Sequence, residues 1–256
     1  MGKQSERNKA AWEFHAYDFW MQQGKPEALA AKIMEAPEQR LRHHGRHFRE
    51  IQGVRIANIC GSNGRIAVPL ALLGSEVTVF DISEENRRYA LELAAAAGVR
   101  IDYILGDFQE VGEGFENAFD IAYAEGGVLH YFAALDQFTA AAFRILKPGG
   151  RLLLSDFHPF RKINREGSAM MSVRQTEGDY FDSRIHRGDV AYKNLLENPN
   201  VEKEQFPDCE LRFYTMAEIV NAVISAGFVL RELEEHPNFE NRKLPGEFTI
   251  LADKPK

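Results

Sequence analysis

The segment RIANICGSNGRIAVPLALLGSEVTVFDIS, residues Arg55 to Ser83, decides the fold. It begins with a nearly continuous apolar run, Ile56 to Cys60, which is typical of a strand buried on both faces. Gly61 to Gly64 is typical of a tight turn, because glycine and asparagine tolerate positive φ. A helix-competent apolar run and a second, β-branched strand follow, and that strand ends at Asp81. The segment therefore predicts a strand, a turn, a helix and a neighbouring strand.

This arrangement is suited to bind a nucleoside. A glycine turn before a helix presents backbone N–H groups to a ligand, and Asp81 at the neighbouring strand tip is placed to accept hydrogen bonds from ribose hydroxyls. Enzymes that use NAD and enzymes that use S-adenosylmethionine share such an acid. A dinucleotide favours the pattern G-x-G-x-x-G, whereas this turn offers only Gly61 and Gly64. The pattern favours a ligand without a pyrophosphate; a packing turn in another α/β domain is the alternative.

The segment resembles motif I of the class I S-adenosylmethionine-dependent methyltransferases, which usually reads acid-apolar-Gly-x-Gly-x-Gly. The motif is altered here: the aligned residues are Asn58 for the acid, Cys60 and Ser62 for the first two glycines, and Gly64 for the third. Asn58 removes a negative charge that family members often place near the methionine ammonium. The resemblance implies that the turn wraps the methionine part of the cofactor and that Asp81 holds the ribose.

The third predicted strand, Arg100 to Leu105, ends at Gly106, Asp107 and Phe108. In the resembled family an acid and an apolar residue at this place bind adenine, the acid by accepting from the exocyclic amine. The alternative, that Asp107 is a helix N-cap, is compatible with binding. In this part of the chain the resemblance implies a cofactor site formed by Cys60, Gly61, Ser62, Asn63, Gly64, Asp81, Ile82, Gly106, Asp107 and Phe108.

The predicted fourth strand, residues 119–124, precedes Glu125-Gly126-Gly127-Val128-Leu129-His130-Tyr131. This resembles the segment after the fourth strand of small-molecule methyltransferases and implies that Glu125 lies where cofactor and acceptor meet. His130 is a candidate base, because histidine titrates near neutrality, or a structural residue that ties the loop to a helix. His158 is a second candidate base, because it follows the fifth strand and ligands lie beyond the carboxyl ends of parallel strands.

Residues 1–50 predict amphipathic helices, which we interpret as an N-terminal helical cap. In the resembled family such helices cover the cofactor, so Tyr17 and Trp20 are candidate cofactor contacts; packing against the core is the alternative. The basic stretch at 40–49 is either an anion site or a solvated helix face. Residues 161–213 break the α/β pattern and predict an inserted substrate cover, or else a surface excursion or oligomer contact. Candidate contacts there are Tyr180, Arg184 and His186.

The predicted fold is therefore α/β: a doubly wound, mostly parallel seven-stranded sheet of the Rossmann-like methyltransferase type. The resemblance implies that residues 51–160 and 214–256 form this core, because an L-K-P-G-G turn before the fifth strand is a landmark of the resembled family and two strands near 229–235 and 248–252 end the chain. A terminal pair joined by a loop fits the antiparallel pair that ends the sheet of the resembled family.

Composition narrows the function classes. The net charge of −7 disfavours bulk nucleic-acid binding, which needs a basic surface. No apolar run approaches the ~20 residues of a membrane helix, and the first residues lack a signal peptide, so a cytoplasmic location is expected. Cys60 and Cys209 predict neither a disulfide framework nor a zinc site. His43 and His47 have helical spacing for a metal, but no third ligand lies near them, so no metal is expected.

The resemblance implies methyl transfer from S-adenosylmethionine to an oxygen, nitrogen, sulfur or carbon nucleophile of a small or medium-sized acceptor. A base is needed only if the acceptor carries a proton that must leave early. The alternatives are an RNA or protein methyltransferase, a non-catalytic binder of S-adenosylmethionine or S-adenosylhomocysteine, and, more distantly, a nicotinamide oxidoreductase. The expected partner is a small-molecule acceptor, without nucleic acid or membrane; the acceptor's identity and the oligomeric state stay open.

Overall fold

A computed structural model describes residues 2–162 and 178–256 of the chain. Its main element is one seven-stranded sheet, and a separate two-stranded sheet lies in the predicted cover. The strands are β1 (Arg55–Ile59), β2 (Glu76–Asp81), β3 (Asp102–Leu105), β4 (Phe119–Ala124), β5 (Leu146–Phe157), β6 (Ile185–Gly188), β7 (Cys209–Arg212), β8 (Val229–Pro237) and β9 (Pro245–Asp253).

The order of strands in the large sheet is β3-β2-β1-β4-β5-β9-β8. Strands β1 to β5 pair in parallel, whereas β9 lies antiparallel between β5 and β8. The sheet confirms the predicted mostly parallel architecture with a terminal antiparallel pair. Because the chain order reverses between β1 and β4, a crevice opens beyond the carboxyl ends of these strands, where ligands of such sheets bind.

Helices cover both faces of the sheet. The helices are α1 (Lys3–Glu13), α2 (Ala16–Gln23), α3 (Pro26–Glu35), α4 (Pro37–Arg40), α5 (Ala67–Leu72), α6 (Glu84–Ala96), α7 (Leu135–Ile145) and α8 (Met216–Ser225). Ile56 and Val79 face one core, which includes residues of α2, α3, α5 and α6. Ile59 and Phe80 face the other core, with residues of α7 and α8. This alternation along the strands produces the doubly wound arrangement.

Local sequence signals account for several helix boundaries. Ser83 caps α6 by accepting from the backbone N–H of Asn86, and Thr215 forms a capping box with Glu218 at the start of α8. Prolines occupy the first turns of α3 and α4, where a missing N–H costs little. Among the described residues, no helix is both long enough and apolar enough to cross a bilayer.

The fifth strand begins earlier than predicted. Leu146 already pairs with Phe119, and pairing resumes at Arg151 with Ile121, so the K-P-G-G residues form an irregularity within β5. Gly149 has φ of 80°, and a Cβ on Gly150 would lie 2.8 Å from a backbone oxygen. The glycines therefore permit a bend that keeps the strand in the sheet.

The helical segment and the predicted cover meet. Asn8 of α1 donates to the carbonyls of Tyr131 and Glu210, and its side-chain oxygen accepts from the N–H of Glu210 in β7. Residues 163–177 of the predicted cover lie outside the described residues. The division into a cap at 1–50, a core at 51–160 with 214–256, and a cover at 161–213 stays a prediction.

Candidate active site

A cavity of about 770 Å³ opens beyond the carboxyl ends of β1 to β4. Its floor includes residues 58, 60–63, 80–82, 106–108 and 125–128, and its roof includes residues from α1 to α3 together with residues 191, 192 and 195. The predicted cofactor contacts that line it are Trp20, Cys60, Gly61, Ser62, Asn63, Asp81, Ile82, Gly106, Asp107, Phe108 and Glu125. Gly64 and Tyr17 are not among its lining residues.

The turn after β1 keeps a glycine-like backbone without the usual glycines. Cys60 has φ of 51° and Ser62 has φ of 49°, both in the left-handed region that favours glycine. Such residues cost about 1–2 kcal/mol each. The two glycines of this turn are needed for space, since a Cβ on Gly61 would lie 2.3 Å from the Asn58 side chain and one on Gly64 2.9 Å from Ala90. Cys60 and Ser62 therefore replace two glycines of the resembled motif, while the backbone of the turn keeps a conformation typical of glycine.

Asp81 connects the turn to the next helix. Its carboxylate accepts from the N–H groups of Ser62 and Ser83, at 2.9 and 3.0 Å, and from the Asn86 amide at 3.3 Å. Burial raises the pKa of Asp81, while these hydrogen bonds act in the opposite direction. One side chain thus organises both the turn and the start of α6 at the edge of the cavity.

Asp107 is an N-cap, as the alternative interpretation held, and it also lines the cavity. It accepts from the N–H of Gln109 at 3.0 Å in a short 3₁₀ helix, Phe108–Glu110. Ser5 of α1 donates its hydroxyl to the other carboxylate oxygen. The Phe108 ring is buried and packs against Phe80. A role of Asp107 and Phe108 in binding adenine stays a prediction.

Glu125 is held by a histidine that sequence analysis did not single out. The Tyr123 hydroxyl donates to Glu125 Oε2 at 2.5 Å, and His44 Nδ1 lies 3.2 Å from the same oxygen. Burial alone would raise the pKa of Glu125, but the hydrogen bonds from His44 and Tyr123 lower it overall. His44 belongs to the basic stretch at 40–49 and is only 2 % exposed. No local pattern distinguishes it from the neighbouring histidines.

The structure brings one of the two candidate bases to the cavity. His130 lines it, and burial together with the Arg161 charge lowers the pKa of His130 to about 4. His158 does not line it: its Nδ1 accepts from the N–H of Phe160 at 3.1 Å, and its Nε2 lies 2.8 Å from Glu235 Oε1. Within the described ranges, no group of three or more His, Cys, Asp and Glu side chains is placed to hold a metal ion.

The roof is rich in aromatic side chains. Trp20 lies in it and donates its indole N–H to Asn86 at 2.7 Å, whereas Tyr17 points to the outside of α6 and donates to Glu92 at 2.6 Å. Sequence analysis missed the roof residues Asn8, Trp12, Phe19 and Tyr192. The guessed contacts in the cover do not line the cavity: Arg184 and His186 lie beside Asp182, and Tyr180 accepts from the N–H of Met216.

Two buried polar atoms at the cavity indicate a polar ligand. Asn58 Oδ1 and Ser62 Oγ belong to lining residues and have no hydrogen-bond partner among residues 2–162 and 178–256. Buried polar atoms are normally satisfied, so an unpaired pair at the floor points to groups that a ligand supplies. Together with the carboxylates at the strand tips, they define a nucleoside-binding α/β protein of the Rossmann-like class.

Comparison with known proteins agrees with this class. Residues 59–154 match the family model described as "Methyltransferase domain". The chain is 31% identical over 211 residues to the ubiquinone biosynthesis O-methyltransferase of Azorhizobium caulinodans, across 82% of this chain and 72% of that protein. It is 27% identical over 161 residues to the protein of the same name from Mesorhizobium japonicum, across 62% of this chain and only 60% of that protein.

Solved structures share the fold at lower identity. An S-adenosylmethionine-dependent methyltransferase from Mesorhizobium loti superposes with a TM-score of 0.58 at 20% identity, over 81% of this chain and 94% of that one. An S-adenosylmethionine-dependent methyltransferase from Clostridium acetobutylicum gives a TM-score of 0.60 at 13% identity, over 86% of this chain and 91% of that one. The chain belongs to the class I S-adenosylmethionine-dependent methyltransferase family, and S-adenosylmethionine is its cofactor.

Proposed function

We propose that this chain transfers the methyl group of S-adenosylmethionine to an oxygen atom of a small, flat acceptor. The observation that carries the proposal is a single cavity that combines carboxylates on its floor with an aromatic roof. Its volume of about 770 Å³ lies in the upper part of the range of about 300–1,000 Å³ for small-molecule sites. Such a cavity has room for a nucleoside and a second small molecule side by side.

The floor would bind the cofactor by hydrogen bonds. When bound, S-adenosylmethionine supplies a methyl group on a positively charged sulfur. Asp81 would accept from ribose hydroxyls and Asp107 from the adenine amine, as the resemblance implies. Cys60 to Gly64 would wrap the methionine part, with Ile82 and Gly106 beside the ribose and adenine contacts. The protein's main contribution is then alignment and exclusion of water.

The roof would cover the acceptor. Trp12, Phe19 and Tyr192 supply flat apolar surface over the cavity, and Trp20 is fixed by its hydrogen bond to Asn86. Flat surfaces of this kind favour an aromatic or quinone-like acceptor. Oxygen is the proposed nucleophile because the compared relatives are named O-methyltransferases. His130 is the proposed base for an acceptor proton, because it is the candidate base that lines the cavity.

A methyl-transfer panel tests this function. Purified protein with S-adenosylmethionine is offered phenols, catechols, carboxylic acids, amines and thiols, and products are identified by mass spectrometry. We expect a methyl group to appear on oxygen of a phenol or catechol, and not when Asp81→Asn protein is used. Methylation of RNA or protein in place of these compounds, or cofactor binding with transfer to none of them, would contradict the proposal.

A further inference from the structure

The turn that carries His130 is anchored by a carboxylate from another strand. Asp156 lies near the carboxyl end of β5 and is buried. Its Oδ2 accepts from the backbone N–H groups of Val128 and Leu129, at 2.8 and 2.7 Å. Its Oδ1 accepts from the N–H of Phe157 at 2.5 Å. Because Val128 and Leu129 directly precede His130 in the chain, this one side chain joins the end of β5 to the candidate base.

Asp156 performs the task of an N-cap from outside the turn. The residues Leu129–Tyr131 form a 3₁₀ turn, whose hydrogen bonds begin with the N–H of Tyr131. The N–H groups of Val128 and Leu129 come before that point, so the turn itself offers them no acceptor. The residue at the N-cap position is Val128, which has no side-chain acceptor. The carboxylate of Asp156 replaces this missing local cap and fixes the turn against β5.

The loop before His130 is also packed against the residues around Asp156. The N–H of Gly126 donates to the carbonyl of Ser155 at 3.2 Å. Gly127 has φ of 84°, and a Cβ at this position would lie 2.5 Å from the Phe157 ring. The loop therefore lies directly on the end of β5, and its glycines permit this close approach.

The ring of His130 lies between two cavities. It lines the cavity of about 770 Å³ and also a smaller one of about 40 Å³ on its other side. The titratable residues that line the smaller cavity are His130, Asp156, His158, Arg161 and Tyr214. The centroid of the His130 ring lies 4.3 Å from that of Tyr131 and 6.0 Å from that of Phe213. Such ring contacts are less directional than hydrogen bonds, so the direction of the ring depends on the turn that carries it.

We propose that Asp156 is a positioning residue that holds the ring of His130 toward the methyl acceptor. The inference rests on the proposed function for the role of His130 as the base, whereas the anchoring of its ring can be measured without methyl transfer. In that role His130 takes the proton of the acceptor while the acceptor oxygen takes the methyl group. Asp156 touches neither of them, but a displacement of the base by about 1 Å is enough to slow such a step about 100-fold.

A double-mutant cycle separates positioning from a general loss of stability. Asp156→Asn keeps one oxygen for the turn but loses the charge and the second acceptor. It should lower kcat on the order of 10-fold and leave the affinity for S-adenosylhomocysteine within about threefold. In His130→Gln protein, which lacks the base, the same substitution should lower kcat by less than about twofold, because the two side chains act as one unit.

The matched control is Asp120→Asn at the other end of the sheet. Asp120 also accepts from a backbone N–H of a neighbouring strand, that of Arg55, at 2.9 Å. It lies at the start of β4, whereas the turn with His130 follows the end of that strand. Asp120→Asn should therefore change kcat by less than about twofold, both with His130 and with Gln in its place.

The ring of His130 supplies a second readout, its titration followed by NMR. Burial and the charge of Arg161 lower the pKa of His130 to about 4 in the unaltered protein. In Asp156→Asn this pKa should rise toward 6.5, because a ring released from its place becomes solvated. Loss of a nearby negative charge would by itself lower the pKa, so a rise reports movement of the ring.

The outcomes distinguish the two proposals. Equal losses of kcat with and without His130, or a pKa of His130 that stays the same or falls in Asp156→Asn, would overturn the positioning role of Asp156. If the unaltered protein methylated none of the offered phenols and catechols, the proposed function would fail. The titration of His130 would in that case still show whether Asp156 holds its ring.

Discussion

The floor and the roof of the cavity are built from interactions of very different range. On the floor, Asp81 accepts from Ser62, 19 residues away, and from Asn86, five residues away. In the roof, Asn8 bonds to Glu210, 202 residues away, and the Tyr192 hydroxyl donates to the carbonyl of Ala11, 181 residues away. These floor contacts are therefore made by neighbouring parts of the chain, while these roof contacts join α1 to segments about 180–200 residues further along.

This difference has consequences for stability and binding. Floor residues lie at the ends of β1 to β4, and three of these strands, β1, β2 and β4, lie inside the sheet, where hydrogen bonds are among the last to open. Roof residues depend on contacts between segments that are far apart in the chain, which carry a larger loop-closure entropy. Each of these segments is held by few hydrogen bonds, so it opens more easily than a strand of the sheet. We expect the roof to open locally while the sheet stays folded, which gives ligands a way into the cavity.

The largest expected effect is a loss of affinity for S-adenosylhomocysteine when a floor residue is replaced. Asp81→Ala removes the acceptor of two backbone N–H groups and the proposed ribose contact, so affinity for S-adenosylhomocysteine should fall on the order of 100-fold or more. Titration calorimetry measures this. Asp102→Ala, at the exposed start of β3, should leave affinity within about threefold. Similar losses in the two variants would mean that Asp81 acts only through general stability.

A substitution in the roof should destabilise the roof and leave the sheet beneath it unchanged. Asn8→Ala leaves backbone groups of β7 and Tyr131 without their partners, which should destabilise the roof by about 2–3 kcal/mol. Amide hydrogen exchange should rise in α1 and β7 and stay unchanged in β1. Arg7→Ala, which removes a half-exposed ion pair to the same Glu210, should have little effect. Equal acceleration of exchange in β1 would contradict the separation of roof from floor.

His130 makes stability depend on pH. Its folded pKa of about 4 lies below the usual value of 6.5, so the folded protein favours the neutral ring. The resulting contribution of His130 to the free energy of unfolding is complete above pH 6.5 and is lost as the pH falls toward 4. Asp156 has a pKa raised to about 6, so its contribution to the free energy of unfolding increases as the pH falls through the same range. When the pH is lowered from 6.5 to 4, the free energy of unfolding of His130→Gln should therefore fall by about 1–2 kcal/mol less than that of the unaltered protein. Denaturant unfolding at the two pH values measures this difference.

The control for this pH effect is His15→Gln, a change of the same kind at a partly exposed turn between α1 and α2, outside the cavity. An unchanged slope in His130→Gln would show that the ring of His130 is solvated when folded.

The smallest effect concerns the turn. Ser62→Gly relieves a positive φ, partly offset by the greater freedom of glycine in the unfolded chain, and should stabilise the protein by about 0.5–1 kcal/mol. Ser83→Gly, by contrast, removes an N-cap at negative φ and should destabilise the protein by about 0.3 kcal/mol. Equilibrium unfolding in denaturant compares the two. Destabilisation by Ser62→Gly would show that the hydroxyl of Ser62 outweighs the strain of its backbone.

Predictions from the sequence succeeded where a signal lies within about 30 residues. The order of the strands in the large sheet and the turn at Gly61 to Gly64 follow from short-range patterns that the structure confirms. The strand tips then follow from topology, because parallel strands joined by helices bring their carboxyl ends to one edge. Asp81, Asp107 and Glu125 accordingly line one cavity.

Predictions were weaker where a side chain's direction depends on distant segments. Tyr17 and Trp20 are three residues apart on one helix, yet α6 draws Tyr17 outward to Glu92 while Trp20 turns to the cavity. His158 follows β5 as expected, but it is drawn toward Glu235 of β8 and away from the cavity. Helical periodicity places residues on a face; it does not say which neighbour that face meets.

The chain's local patterns were thus sufficient for the sheet, its doubly wound helices and the carboxylates at the strand tips, because strand burial, glycine turns and helix caps act over a few residues. Only the folded molecule decided the roof and the pairing of His44 with Glu125, which joins residues 81 positions apart. Such contacts have no local signature, since they depend on how a segment near the start of the chain packs against the tip of a distant strand.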